Sequence, residues 1–472
     1  MISISTREIA SVVRGRVLQG DPAAVFSSIA TDTRKMKVNA LFFALVGEQY
    51  DAHSFLPQAV AAGAGGLVVS RLENLPTGVP VIMVENTLAA LQSLAAYNRQ
   101  RSGAVLVGVT GSTGKTTTKD MIASVLRVHL HTLKSEGNFN NEIGLPLTLL
   151  ELDESHEAAA VEMGMRGPGE IQSLCEIARP KGAVITNINE THLELLGTVS
   201  NIAEAKGEIL EHIPSGGFAI LNAESPFIRR EARRCRGKVI YYGIEQPAEI
   251  RGENILAEGM GSRFNVDIDG QTHAFYLPVP GRHNVMNALA AIGVGLEMGL
   301  TVEEITSGLA TVALTGMRLE VIEGGSLKII NDAYNASPAS TRAALGVLKD
   351  LAGGRRSIAV LGTMLELGAR AQGGHREVGK TAATLGLDYL ITVGELAGHI
   401  VEGAVDAGFS PEKVFRCAEH DSAVKILEGL LQEGDVVLVK GSRSMKMERF
   451  IQYLLKRSQL LSRTGDPTIT DN

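Results

Sequence analysis

Tryptophan is absent from the 472-residue chain, and aromatic residues make up only 4% of it. That scarcity argues against aromatic platforms for stacking exposed bases. Basic charge is sparse too. The net charge is −7, and the one dense tract, RREARRCRGK from Arg229 to Lys238, is short and reads as a solvated helix face. Nucleic acid is therefore not an expected partner. Cys175, Cys235 and Cys417 stand far apart, with no CxxC pair and no His/Cys spacing suited to a metal. A reducing compartment without disulfides fits this pattern. No apolar run reaches the roughly 18 residues of a membrane helix. The start, MISISTREIA, lacks the charged head and apolar segment of a signal peptide. The expectation is a cytoplasmic protein without membrane insertion.

What is present is a chain that is 44% hydrophobic with 52 glycines, as in soluble α/β proteins. Its length suggests about three domains. The organising stretch is GAVLVGVTGSTGKTTTKDMIASVL, Gly103 to Leu126. An apolar run, Ala104 to Val109, reads as a buried parallel strand. The turn Gly111-Ser112-Thr113-Gly114 follows, and Lys115, Thr116, Thr117 and Thr118 open an amphipathic helix. Strand, glycine turn and helix N-terminus make a nest for phosphate, because backbone N–H groups and the helix dipole both favour an anion there. Lys115 can reach the β/γ-phosphates, and the Thr116 hydroxyl can ligate a nucleotide magnesium. Where the usual motif has its first glycine this chain has Val109, and Gly111 takes over the turn.

Before this stretch, residues 1–102 read as a small α/β domain. Its strands are expected at Ala40–Leu45, Gly65–Ser70 and Val79–Asn86, with a helix at Thr87–Arg101. TDTR (Thr31 to Arg34) and GEQYDAHSF (Gly47 to Phe55) are polar stretches bordering apolar strands. Taken alone they read as surface turns, although such loops often carry binding groups.

From Gly103 strands and helices alternate, as a doubly wound, mostly parallel sheet requires. Asn138, Asn140 and Asn141 crowd a loop that is expected to end at Pro146; they suit phosphate or metal-bound water as well as plain turns. Four apolar residues, Ala158 to Val161, lead into Glu162. A carboxylate at the C-terminal end of a buried parallel strand lies on the rim where α/β ligands bind, and a magnesium ion would offset its burial. His192 and Glu194 follow the next strand, Gly182 to Ile188, on the same rim, where His192 is a candidate metal ligand. By composition alone, Lys206 in the helical stretch IAEAKGEIL reads as solvated.

The sequence FNVDIDGQTHAFYL turns at Asp269-Gly270 and reads as a β-hairpin, followed by a helix over Asn284–Met298. A third, Rossmann-like α/β domain is expected from residue 320, with strands LKIIND, SIAVLG, YLITVG and DVVLVKG. Gly362 to Gly379 reads as a long strand-end loop carrying His375 and Arg376. Lys440 to Glu448 lies at the end of the last strand, and RSQLLSRTGDPTITDN reads as a frayed polar tail.

TGSTGKTTT, GNFNNEIGLPLT, EMGMRGPGEI, THLELLG, AKGEIL, PGRHNVMNALAA, NDAYNASP and VLVKGSRSMKMERF occur in this order. Together they resemble the Mur ligases over nearly the whole chain. The ATP motifs are shared with folylpolyglutamate synthetases, but NNEIGLPLT, EMGMRGPGEI and NASP are more characteristic of the family member that adds D-Ala-D-Ala. The resemblance implies an ATP-dependent, ADP-forming ligase with UDP-MurNAc-tripeptide and D-Ala-D-Ala as substrates, working as a monomer. It implies three domains: 1–102 for the UDP-sugar substrate, 103–319 for ATP, and 320–472 for the incoming dipeptide.

Residue by residue, it assigns Gly111, Ser112, Thr113, Gly114, Lys115, Thr116 and Thr117 to ATP phosphates. Asn287 is assigned to adenine, Arg318 to the phosphates and Asp332 to the ribose. It makes Thr116, Glu162, His192 and Lys206 the holders of two magnesium ions, with Lys206 carbamylated by CO₂, and Lys115, His192 and Lys206 the catalytic set. Thr33, Arg34, Asn141, Ser442 and Arg443 are implied to face the substrates.

The chain departs from the family at Thr363, where an aspartate is usual, and more mildly at Asn39, Asn189 and Thr191. By sequence none of these is expected to touch the phosphate or metal set.

Overall fold

The computed structural model describes residues 1–464 except Glu48, His192 and Gly324, with side chains described as far as Leu461. Among these residues the chain builds three large sheets, of five, nine and six strands. In the nine-stranded sheet Val105–Thr110 is the third strand from one edge. This strand pairs in parallel with Ala158–Glu162 on one side and Gly182–Ile185 on the other. Thr132–Lys134 forms one edge, and the hairpin Gly261–Ile268/Gln271–Leu277 forms the other.

A parallel strand in this position is buried on both faces, which is why its residues read as continuous apolar runs. Val107, Val109, Ala158 and Ala160 pack under the helices Lys115–Leu126 and Arg282–Glu297. The alternate residues Leu106, Ala159 and Val161 pack under Glu170–Ala178 and Val199–Glu211. Each fully buried Leu, Ile or Val contributes about 1.5–3 kcal/mol, so these strands hold their polar C-terminal rim firmly.

The six-stranded sheet runs in the order Glu320–Glu323, Lys328–Asp332, Val436–Lys440, Ser357–Gly362, Tyr389–Val393, Val414–Cys417, and only the first pair is antiparallel. The five-stranded sheet covers residues 16–83. Behind it the helix Thr87–Arg101 docks onto the nine-stranded unit, where the Asn98 amide donates to Leu149 O and Leu152 O, both at 2.9 Å.

Several elements differ from expectation. Gly362–Gly379 is a loop only in its first part; Gly368–Arg370 is a 3-10 turn and Ala371–Thr384 is a helix. His375, Val378 and Ala382 line its buried face. The helical period was disguised by Gly373, Gly374 and Gly379. Gly379 is needed for packing, since a Cβ there would lie 1.9 Å from Ile400 O on the neighbouring helix.

Pro146 does not end a loop but sits inside the helix Gly144–Leu149. It falls in the first turn, where a missing N–H costs little. The Arg229–Lys238 tract is not one helix face. It runs through a helix end, a 3-10 turn at Ala232–Arg234 and into the strand Lys238–Gly243, with Arg230 and Arg234 paired to the buried Glu231. The tail is helical through Thr464, and the rest of it lies outside the described residues. Among the described residues no helix is long and apolar enough to cross a membrane.

Candidate functional site

The strand Val105–Thr110 ends in Gly111, whose φ is 147°. A Cβ there would lie 1.9 Å from Thr186 Oγ1, so only glycine fits. The loop is then clamped by the residues after the neighbouring strand. Ser112 N donates to Asn187 O and Thr113 N to Asn187 Oδ1, both at 2.9 Å, and Thr186 Oγ1 donates to Thr113 O at 2.6 Å. Gly114 is left-handed and leads into the helix Lys115–Leu126, whose first turn has no side-chain cap. Its backbone donors point at the cleft, as an anion site requires. Lys115 Nζ arches back to donate to Gly111 O at 2.9 Å. Asn287 supports the loop from behind, where its Oδ1 accepts from Thr118 Oγ1 at 3.1 Å.

Glu162 is 2% exposed at the end of its strand. One carboxylate oxygen accepts from Thr116 Oγ1 at 2.5 Å and the other from Asn140 Nδ2 at 2.7 Å. Lys206 on the helix Val199–Glu211 is not solvated but 1% exposed. Among the described residues no carboxylate lies within ion-pair distance of it. Burial and the neighbouring Lys115 ammonium hold Lys206 well below the usual lysine range, against the pull of Glu162. Burial also lowers Lys115, with Arg318 adding to the effect and Glu162 opposing it. His192 lies outside the described residues. Among those described, no group of three His, Cys, Asp or Glu side chains gathers to hold a metal. The donors present, one hydroxyl and one carboxylate in contact, fit magnesium, a hard cation that takes few protein oxygens and completes its shell with water and phosphate.

The facing wall comes from the six-stranded sheet. Asp332 and Lys440 are side by side at the ends of adjacent strands and form a buried ion pair, with Lys440 Nζ also donating to Asn335 O at 2.9 Å. The Arg318 guanidinium lies 3.9 Å from the centre of the Tyr334 ring. Ser442 Oγ accepts from Leu365 N at 2.9 Å, and Arg443 pairs with Glu448 at 2.9 Å. Thr363 is buried, and its carbonyl accepts from Ser442 N at 3.1 Å.

Between the walls is a cleft of about 1820 Å³, lined from all three sheet units by residues that include Gln92, Lys115, Glu162, Asn287, Asp332 and Arg443. A single small-molecule site takes about 300–1,000 Å³, so this cleft has room for more than one bulky ligand. Asn141 lines it while capping the helix Gly144–Leu149, its Oδ1 accepting from Gly144 N at 2.9 Å. Thr33 and Arg34 are not brought to the lining. Arg34 is 86% exposed and paired with Asp32, whose carboxyl it holds down at about 2.

Residues that the motifs alone did not single out are Thr186 and Asn187, and Lys440 stood out only as the start of a strand-end loop. Each lies just past, or at the end of, a buried strand, which is the one signal that points to them. Asn140 was indistinguishable by sequence from its neighbouring asparagines.

Comparison with known proteins adds the family. Residues 109–295 match the Mur ligase middle domain, and residues 317–443 match the Mur ligase, glutamate ligase domain. A Bacillus subtilis protein named UDP-N-acetylmuramoyl-tripeptide–D-alanyl-D-alanine ligase is 40% identical, over 97% of this chain and 99% of the relative. The crystal structure of MurF from Acinetobacter baumannii superposes with a TM-score of 0.87 at 31% identity, covering 96% of this chain and 99% of that one. MurF ligase from Thermotoga maritima, in complex with ADP, superposes with a TM-score of 0.80 at 27% identity, over 92% of this chain and 98% of that one.

Proposed function

The chain belongs to the Mur ligase family, and we propose that it joins D-alanyl-D-alanine to UDP-N-acetylmuramoyl-tripeptide, cleaving ATP to ADP and phosphate. The product is the UDP-MurNAc-pentapeptide of peptidoglycan precursor synthesis. The observation that carries this reading is the phosphate loop of Lys115 facing Arg318, Asp332 and Lys440 across one cleft.

The chemistry has two steps. An oxygen of the tripeptide's terminal carboxylate attacks the γ-phosphorus of ATP. The bond to the β–γ bridging oxygen breaks, leaving ADP and an acyl phosphate. The amine of D-Ala-D-Ala then attacks the acyl carbon; the tetrahedral intermediate collapses to the amide, with loss of phosphate and of the amine's proton. Little covalent work falls to the protein in such transfers, and positioning with charge neutralisation does most of it. Lys115 and the open first turn of its helix hold the β/γ-phosphates, and Arg318 approaches them from the opposite wall. Asn287 and Asp332 are the residues for adenine and ribose. Magnesium, when bound, neutralises phosphate charge, and Thr116, Glu162, His192 and Lys206 would hold two ions. Lys206 suits carbamylation, because a buried amine beside Lys115 is a poor place for a second ammonium, whereas CO₂ turns it into an anion.

The N-terminal unit, 1–102, would take the UDP-sugar end, with Thr33 and Arg34 outside the cleft lining and reached only by the part of the ligand that extends beyond it, and 320–472, with Ser442 and Arg443, would take the dipeptide. Asn141 would face the tripeptide from the central unit, 103–319. The working unit in this reading is a monomer, supported by three sheet units of one chain lining the cleft together. The test is phosphate release from ATP and magnesium with each substrate omitted in turn. Release that needs both, with a pentapeptide product by mass, is expected; release with neither would overturn the ligase reading.

A further inference from the structure

The chain passes from the nine-stranded to the six-stranded sheet through the strap 311–319, which follows the helix Val302–Ala310. Two residues of the strap, Met317 and Leu319, hold left-handed backbone at φ 62° and 51° without being glycine. Such conformations persist only where surrounding bonds over-determine them. Here those bonds can be named. Leu319 N donates to Asp332 Oδ1 and Tyr334 N to Met317 O, both at 3.2 Å. At the other end Asp120 Oδ2 accepts both Thr315 N, at 2.8 Å, and Thr315 Oγ1, at 2.7 Å.

Asp120 belongs to the phosphate-loop helix and is 2% exposed. Its other oxygen accepts from Lys134 Nζ at 2.8 Å and lies 3.4 Å from Lys119 Nζ. Burial raises the Asp120 pKa, but the Lys119 and Lys134 ammonium groups and the Thr315 N–H together hold the carboxyl below the usual range. The charge is thus balanced on one oxygen while the other is committed to the strap. Arg318 lies between the two tethers. It borders the cleft over the Tyr334 ring, and its Nε is buried with no hydrogen-bond partner.

We propose that Asp120 and Thr315 are positioning residues for the nucleotide reaction: they tie the interdomain strap to the helix that carries Lys115, so that Arg318 meets the phosphates in register with that lysine. The proposal rests on the reading of the cleft as the ATP site of a ligase. It makes the phosphate loop and the interdomain crossing one mechanical unit.

Asp120→Ala would strip the buried Lys119 and the half-buried Lys134 of their ion-pair partner and risks misfolding, so the test centres on Thr315→Val and Thr315→Ser. Valine keeps the backbone hydrogen bond and the shape but removes the hydroxyl; serine keeps the hydroxyl. Thr315→Val is expected to lower kcat/KM for ATP about tenfold, the loss of one hydrogen bond to a charged group. KM for D-Ala-D-Ala should stay at its wild-type value, the melting temperature should fall by no more than a few degrees, and Thr315→Ser should be restored. In an Arg318→Ala background Thr315→Val should add nothing, because the two act as a unit. Wild-type ATP kinetics in Thr315→Val, or a full additive loss in the Arg318→Ala background, would overturn the proposal. Calorimetric ATP affinity on the same variants keeps the two readings apart. A wild-type chain that binds ATP but makes no amide overturns the ligase reading alone, and the affinity of Thr315→Val still reports on the tether.

Discussion

Thr116, in the first turn of the phosphate-loop helix, donates a 2.5 Å hydrogen bond to Glu162, the last residue of a buried parallel strand. The two oxygens belong to elements that are 46 residues apart in sequence and meet only because the strand's end and the helix's start share one rim. On the proposed ligase reading, magnesium would bind at that contact. Glu162→Gln keeps the size and one acceptor but loses the charge, so kcat should fall by about 100-fold, the scale of losing one electrostatic stabiliser. The magnesium concentration for half-maximal activity should rise. Unchanged magnesium dependence would remove Glu162 from the metal set.

Lys115→Ala should abolish ATP turnover, with a loss of about 1,000-fold or more in phosphate release. It should not unfold the protein, because the lysine's hydrogen bond is to a loop carbonyl and its folded pKa is already lowered by burial. Circular dichroism melting run beside the assay separates the two effects. Near-normal turnover would strip the phosphate loop of its role.

Much of this site was legible because its residues follow local rules. Gly111, Gly114 and Lys115 announce a strand–turn–helix nest, and Glu162 announces itself by ending an apolar run. Lys206 was not legible from composition, since its burial depends on the helix Val199–Glu211 packing beneath the loop. Only the family resemblance drew attention to it. Asp120 was hidden for a similar reason: its partner Thr315 is 195 residues away. The first turns of the helix Ala371–Thr384 read as loop as far as Gly379, because Gly374 and Gly379 serve close contacts with neighbouring elements rather than a turn. Long-range packing, which carries no local period, accounts for these differences.

Lys206→Ala should be crippled, and short carboxylic acids added to the assay should restore part of its activity by standing in for a carbamate. Full activity in the unsupplemented variant would sink the carbamate proposal. Since the ammonium form is disfavoured by burial and by Lys115, the alanine variant should be at least as stable as the wild type in urea.

His283 gives a pH dependence whose sign is fixed. Burial, aided by Lys440, lowers its pKa from the usual 6.5 to about 4. Below the unfolded value the unfolded chain takes up a proton that the folded chain refuses, so stability is lost as pH falls from about 6.5 to about 4 and is fully present above that window. His283→Gln should lose less stability than the wild type between pH 7 and pH 4.5, as read from urea midpoints. Parallel losses in the two proteins would show that the histidine does not contribute.

The Asp332–Lys440 pair is the remaining lever on the C-terminal wall. The strands that carry it are register neighbours, Asp332 opposite Lys440, and burial alone would push the Asp332 pKa up further than the adjacent ammonium brings it down. Lys440→Met would therefore leave a buried carboxylate with Leu319 N as its remaining donor. Breaking one side of such a pair typically costs about 3–5 kcal/mol. Lys440→Met with Asp332→Asn removes both charges at once and should recover at least half of that loss, since the desolvation cost disappears with the attraction. Urea titration of the single and double variants decides the matter. Equal destabilisation of the two would mean that the pair matters for shape and not for charge. Recovery of stability without recovery of ATP affinity would show that the ion pair is kept for the nucleotide rather than for the fold.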